Sequence, residues 1–350
     1  MINIIISAND FYHLSQREVL GEVCPLDAPF RVQISPCENC NFRCVYCVQA
    51  VEPRGRQTLL DMEINVKIVD QMKKFPVPPK RILLNGMGEP LLNKRLPDMV
   101  AHMKSKMPES GISLTTNGSL LTPVLSKKLV ESGLDQILIS LQGLTTEKYK
   151  EVCGVALDFE AFVENIRYLY SIKQELKVFV KVPNIAIDES DVSHYHELFD
   201  PITDGATIEQ ILPLFSEVDY SKFNIAENTT SNKIGSDFGE QKICAQPFYN
   251  LSVLPDGTVF PCCNTVSPLH ALGNINTQDL LDIWNGKRRT GFLRRMLKKE
   301  SIPGCDDCTV KTALVKTKED ILEPYAEAVL QRINTMEQRN GQGSNLHSSL

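Results

Sequence analysis

The sequence predicts an α/β protein: a partial, six-unit (β/α) barrel of the TIM type, followed by a small cysteine-rich domain. Two observations carry this. Short apolar runs alternate with amphipathic stretches from about residue 30 to 215, the pattern of βαβ units around a parallel sheet. Beyond residue 240 the helical periodicity fades and cysteines return, as expected where metal organises a small domain. A chain of 350 residues accommodates both.

The elements follow in order. Residues 1–29 form an N-terminal extension whose apolar start, Met1 to Ser7, reads as a strand. It lacks a basic leader and a cleavage site, so no signal peptide is expected. The barrel, 30–215, takes strands at Phe30–Ser35, Arg81–Asn85, Ile112–Thr115, Gln136–Leu141, Lys177–Val182 and Thr207–Leu212. Helical patterns fall between them, near Asp61–Lys74, Lys94–Lys106, Pro123–Ser132, Phe159–Ile172 and Glu189–Phe199. Chemistry is expected on loops at the C-terminal strand ends. Residues 216–240, rich in Asn, Ser and Thr, read as a linker. Residues 241–310 are the cysteine-rich domain. Residues 311–350 hold a helical pattern over Thr317–Gln338 and a flexible tail.

Composition narrows the function. A net charge of −6 gives no reason to expect nucleic acid or an anionic membrane as partner. No apolar run approaches the ~20 residues of a membrane span. Eleven cysteines without an export signal point to the cytoplasm, where clustered cysteines are more often metal ligands than disulfides.

The most informative run is Cys40-Asn41-Phe42-Arg43-Cys44-Val45-Tyr46-Cys47, just after the first strand. Three thiolates on one tight loop can hold three irons of a four-iron cubane and leave the fourth open. Zinc with a distant fourth ligand is the alternative, kept alive by the Cys37-x2-Cys40 pair.

Several further motifs sit at strand ends. The second strand runs into Gly86-Met87-Gly88-Glu89-Pro90, where glycines let backbone approach a ligand and Glu89 offers an anion to an ammonium. The third runs into Thr115-Thr116-Asn117-Gly118, which is also an ordinary turn signal. The fourth runs into Ile139-Ser140-Leu141-Gln142-Gly143. Taken with the cysteine loop, this stretch from Phe30 to about Leu212 resembles the radical SAM superfamily. The resemblance implies a [4Fe-4S] cluster whose open iron is chelated by S-adenosylmethionine. One electron then breaks the sulfur–C5′ bond, and the 5′-deoxyadenosyl radical takes hydrogen from substrate. It implies cofactor contacts from Gly86, Met87, Gly88 and Glu89 to the methionine amine, and from Thr116 and Asn117 near the sulfonium and ribose. Ser140 would meet ribose or carboxylate, and the Tyr46 backbone adenine. A flavodoxin- or ferredoxin-type reductant is implied as well. One departure stands out: relatives often read Tyr-x-x-x-Arg-Gly after the fourth strand, but Cys153 replaces that arginine here. Lys150 or Lys181 would take over the cofactor carboxylate, or the contact is absent.

A second cysteine set follows the linker: Cys244, Cys262, Cys263, Cys305 and Cys308. The Pro255-Asp256-Gly257-Thr258 run signals a hairpin that would bring Cys244 and Cys262 together. Four thiolates converge if the Cys305-x2-Cys308 turn folds onto it. This region resembles the SPASM/twitch auxiliary domains, through Gly257-x4-Cys262, Gly273-Asn274-Ile275 and Asp282-Ile283-Trp284-Asn285-Gly286. The resemblance implies one auxiliary [4Fe-4S] cluster on Cys244, Cys262, Cys305 and Cys308. Cys263 is an alternative to Cys262, and a structural four-cysteine zinc an alternative to the cluster.

A fully ligated second cluster suits electron transfer. The expectation is net two-electron dehydrogenation of a small molecule such as a cyclitol or sugar, with Lys181 and Glu209 as candidate bases or anchors. The alternative is maturation of a ribosomal peptide by crosslinking or epimerisation, with Cys153 as hydrogen donor. Residues 1–29 are too few for a leader-binding domain, which favours the small molecule. A cluster-bearing electron carrier without turnover would leave the motifs after the second and third strands unused.

Overall fold

The computed structural model describes residues 18–51, 58–214, 217–223, 232–233, 236–263, 265, 268–315 and 317–344. The strand expected over Met1 to Ser7 and the last six residues of the tail lie outside them, as does much of 216–240.

Six strands run parallel in sequence order: β1 Arg31–Ile34, β2 Arg81–Leu84, β3 Gly111–Thr116, β4 Gln136–Ser140, β5 Lys177–Pro183 and β6 Gly205–Glu209. They are short and apolar because each is covered on both faces, and Val32, Ile82, Ile112, Ile137 and Val178 are fully buried. The sheet does not close on itself. It continues instead from β1 into β7 Asn250–Val253, then β8 Thr258–Phe260 and β9 Gly273–Asn274, in the order β6-β5-β4-β3-β2-β1-β7-β8-β9. β7 lies parallel to β1, with Arg31 opposite Asn250 and Ile34 opposite Val253. The expected hairpin is present as the antiparallel pair β7–β8.

Helices α1 Met62–Met72, α2 Leu96–Lys106, α3 Pro123–Glu131, α4 Thr146–Cys153, α5 Phe159–Ile172 and α6 Val192–Phe199 accompany the barrel strands. Four start at a side-chain cap: Asp61, Thr122, Thr145 and Asp158 each accept from a backbone N–H of the first turn. Helix α4 was not foreseen, although Thr145 caps one end and Gly154, at φ 75°, the other. The cysteine-rich segment also departs from expectation. Besides a single helical turn at Gln246–Tyr249, its described residues form two longer helices, α7 Leu280–Asn285 and α8 Lys287–Leu297. The helix expected over Thr317–Gln338 begins later, as α9 Ala326–Ser344, after two short 3-10 turns.

The large core fills the barrel and extends to Leu280, Ile283 and Trp284 of α7. A smaller core joins Leu20, Ile243, Phe248, Leu293 and Leu297 to Val329 and Ile333 of α9. Among the described residues no helix is long and apolar enough to cross a membrane.

Candidate functional site

The cysteine loop leaves β1 and is pinned from two sides. Arg43 N and Val45 N donate to the carbonyls of Cys153 and Val152 at the end of α4, both at 2.9 Å. On the other side it abuts the turn after β2. Glu89 N donates to Asn39 O at 2.6 Å, and a Cβ on Gly88 would lie 2.4 Å from the carbonyl oxygens of both Asn39 and Cys37. Only glycine allows so close an approach. Gln49, buried just past the last cysteine of the loop, donates to Glu38 O (2.8 Å) and Met87 O (3.0 Å) and so joins the two turns. Asn93 does the same deeper down, donating to Pro36 O and Leu60 O. Neither residue carried a sequence signal.

Glu89 is almost wholly buried. Its carboxylate accepts from Thr116 Oγ1 (2.5 Å), Leu91 N (2.9 Å) and Asn117 N (2.7 Å). Burial raises its pKa above the usual carboxylate value, and these three bonds oppose the rise. Thr116 and Asn117 thus meet Glu89 directly. Asn117 Nδ2 also bonds Asn41 Oδ1 at 2.8 Å and stands 4.0 Å from Cys40 Sγ, which ties the ends of β2 and β3 to the cysteine loop.

Other expected residues scatter in role. Tyr46 OH donates to Gln142 Oε1 (2.7 Å), and its carbonyl accepts from Tyr220 OH (3.1 Å). Ser140 ends β4 opposite Lys181. Lys181 Nζ pairs with Glu209 Oε2 at 2.7 Å across the ends of β5 and β6, with both side chains mostly buried. Lys150 is exposed on α4. Cys153 faces inward: it is fully buried, its thiol donates to Tyr149 O at 3.0 Å, and burial pushes its pKa up to about 11. This is the environment of a packed small side chain. His196 pairs with Asp200 on the surface of α6.

Burial dominates both cysteine sets. It pushes Cys40 up to about 11, Cys44 well above the usual thiol value, and Cys47 upward. Cys44 also feels Cys47 and Cys40, and Cys40 feels Cys47. In the second set burial raises Cys244 and Cys263 and takes Cys305 to about 12. Cys244 senses Cys308, Cys263 and Cys305, and Cys263 senses Cys308. Cys262 is buried beside them in sequence.

Among the described residues no three Cys, His, Asp or Glu side chains converge tightly enough to hold a single metal ion. In a cubane each thiolate binds a different iron, so such convergence is not required. Three cysteines on one loop after β1, and a second set drawn from the hairpin and the Cys305–Cys308 turn, are the thiolate donors that iron–sulfur clusters take. The donor sets therefore fit thiolate-bound clusters.

The second set is stitched to the barrel mouth. Thr309 Oγ1, next to Cys308, donates to Pro213 O (2.8 Å) beyond β6. Lys233 bridges the same places through its backbone: its N–H donates to Ala313 O and its C=O accepts from Gln210 N. Its side chain feels Glu209, Lys181 and Cys263 after desolvation, which lowers its pKa. Sequence reasoning missed Lys233 because it lies in the polar linker.

Comparison with known proteins agrees with this geometry. Residues 34–189 match the radical SAM superfamily, and residues 244–309 match SPASM, described as an iron–sulfur cluster-binding domain. The tungsten-containing aldehyde ferredoxin oxidoreductase cofactor-modifying protein of Pyrococcus furiosus is 28% identical over 326 residues, covering 80% of this chain and 87% of that protein. A structure of BtrN in complex with AdoMet and 2-DOIA superposes with a TM-score of 0.53 at 19% identity, covering 83% of this chain and 96% of that one. Streptococcus suis SuiB bound to precursor peptide SuiA superposes at 0.60 with 16% identity, covering 78% and 68%. The chain belongs to the radical SAM superfamily: it is a radical SAM enzyme with a C-terminal SPASM domain, served by S-adenosylmethionine and iron–sulfur clusters.

Proposed function

We propose that this enzyme dehydrogenates a small molecule, taking two electrons from a carbon bearing a hydroxyl as in a cyclitol or sugar. The observation that supports this most is the anchoring of the second cysteine set where β6 ends. Thr309 and the backbone of Lys233 make that anchor, and the Lys233 side chain feels both the Lys181–Glu209 pair and Cys263. The P. furiosus relative, named for modifying a cofactor, supports a small-molecule substrate over a peptide.

Cys40, Cys44 and Cys47 would hold the first cluster, and Cys244, Cys305 and Cys308 with Cys262 or Cys263 the second. When bound, the first cluster and S-adenosylmethionine supply a 5′-deoxyadenosyl radical. Glu89 receives the methionine ammonium, held ready by Thr116, Asn117 and Leu91. Gly86, Gly88 and the Met87 carbonyl would line the approach to the methionine amine, and Ser140 and the Tyr46 backbone would meet the nucleoside. The exposure of Lys150 and the pairing of Lys181 leave the cofactor carboxylate without the lysine contact first considered for it. At the mouth Lys181 orients substrate and Glu209 accepts the hydroxyl proton. With both clusters and S-adenosylmethionine in place, the balance of a two-electron oxidation would be one hydrogen atom to the radical, one proton to Glu209 and one electron to the auxiliary cluster. A flavodoxin- or ferredoxin-type protein is the external one-electron donor.

Anaerobic reconstitution with candidate alcohols tests this. A Cys305→Ala/Cys308→Ala variant should form 5′-deoxyadenosine without oxidised product. Undiminished oxidation there would refute the electron-acceptor role, and turnover of peptides alone would select peptide maturation. The epimerase form of that alternative gains nothing from Cys153, whose thiol is bonded to Tyr149 O inside the core.

A further inference from the structure

His270 belongs to neither cysteine motif, yet it sits between the two arms of the second set. It ends a 3-10 turn, Pro268–His270, a few residues beyond Cys262 and Cys263. It is buried, with its ring edge-to-face on Phe292 of α8 at 5.5 Å. Its Nε2 lies 2.7 Å from Pro303 O, two residues before Cys305, and 4.0 Å from Cys305 Sγ. A carbonyl oxygen only accepts, so Nε2 carries the hydrogen. That donor is present whether the ring is neutral or protonated.

The other side of the Cys305 turn is held locally. Ser301 Oγ and Ile302 N both donate to Asp306, and Cys305 N and Asp306 N both donate to Ile302 O. His270 is therefore a long-range tie between this turn and the hairpin arm. The same N–H is directed at a carbonyl with a cysteine sulfur at the outer limit of an N–H···S contact.

We propose that His270 is a positioning residue for the auxiliary cluster, fixing the Cys305 arm through Pro303 and presenting an N–H dipole to the Cys305 sulfur. The inference rests on Cys305 being a ligand of that cluster. Donors beside cluster sulfurs stabilise the reduced, more negative state and raise the reduction potential. An electron acceptor in the proposed oxidation benefits from that direction.

The test uses the full chain, reconstituted anaerobically, with irons counted and both clusters titrated by electron paramagnetic resonance. His270→Phe keeps the ring and removes the donor. His270→Gln restores an amide N–H near the position of Nε2. Expected in His270→Phe is an auxiliary cluster whose potential moves to more negative values, or which loses its irons, while the first cluster is unchanged. His270→Gln returns the wild-type potential and iron content. Identical behaviour of the two variants, whether both normal or both impaired, overturns the inference. A wild-type chain showing no second cluster would instead overturn the ligand assignment beneath it.

Discussion

Glu89→Gln is the sharpest single test of the cofactor site. The carboxylate is buried, carries three hydrogen bonds and faces the loop that bears Cys40. A carboxylate–ammonium bond contributes about 1.5–3 kcal/mol. Its loss weakens S-adenosylmethionine binding roughly 10- to 150-fold, at about 1.4 kcal/mol per tenfold. The amide also turns an NH2 toward Asn117 N or Thr116 Oγ1, so one buried donor loses its acceptor at a cost of about 1–3 kcal/mol in stability. The assay is equilibrium binding of S-adenosylmethionine to reconstituted protein, with irons counted to show that the first cluster is intact. A pH series adds a second constraint. Burial raises Glu89 above its reference value of 4.5, so ionising it destabilises the cofactor-free fold as pH rises past that value. Cofactor affinity should climb as pH rises through the raised pKa, because only the ionised form attracts the ammonium, and the variant should lose that climb. A variant with full iron that binds within twofold of wild type would refute the assignment.

Gly88→Ala should cost the first cluster its irons, about half of roughly eight per chain, because the new Cβ meets two carbonyl oxygens of the cysteine loop at 2.4 Å; iron analysis decides it. Cys262→Ala and Cys263→Ala separate the two candidates for the fourth auxiliary ligand: the ligand's variant should lose the auxiliary signal, and its neighbour's should keep it. Lys181→Gln removes the cation that pairs with the mostly buried Glu209 at 2.7 Å. It should lower kcat for oxidation roughly tenfold or more while 5′-deoxyadenosine still forms, and destabilise the fold by about 1–3 kcal/mol in thermal unfolding.

Legibility in the sequence followed the range of the forces involved. The six barrel strands were readable because parallel strands buried on both faces must be apolar runs. Helix α4 was missed because eight residues leave room for only three buried positions, Tyr149, Val152 and Cys153. Helix α8 was missed because a charge sits inside it. Arg289 is buried, donates to the carbonyls of Trp284, Pro247 and Phe248, and lies 3.2 Å over the Trp284 ring. Paired with an aromatic face and three carbonyls, an arginine occupies a core position that periodicity assigns to solvent. The family resemblance put Cys153 near the cofactor by motif position but was silent on the direction of its side chain, and its thiol bonds back to its own helix. Lys181 and Glu209 were readable as strand ends, whereas their pairing depends on the register of β5 against β6.

The least legible feature explains the most. Six parallel strands leave a barrel open between β6 and β1, and an exposed parallel edge is costly. The cysteine-rich segment meets both margins of that opening. On one side β7 pairs with β1, reinforced by Arg31 donating to Asn250 Oδ1 and Gln246 Oε1. On the other, Thr309 and Ala313 dock on the chain leaving β6, directly and through Lys233. The segment that supplies the auxiliary cysteines thus touches both margins of the opening, while the sheet itself stays open. Cys263 feels Arg31 of one margin and Lys233 of the other, so it lies at this seam. In the proposed oxidation, an electron acceptor carried on this segment would need no separate docking interface, because the backbone pairing of β7 with β1 that covers the open edge also sets the segment's place.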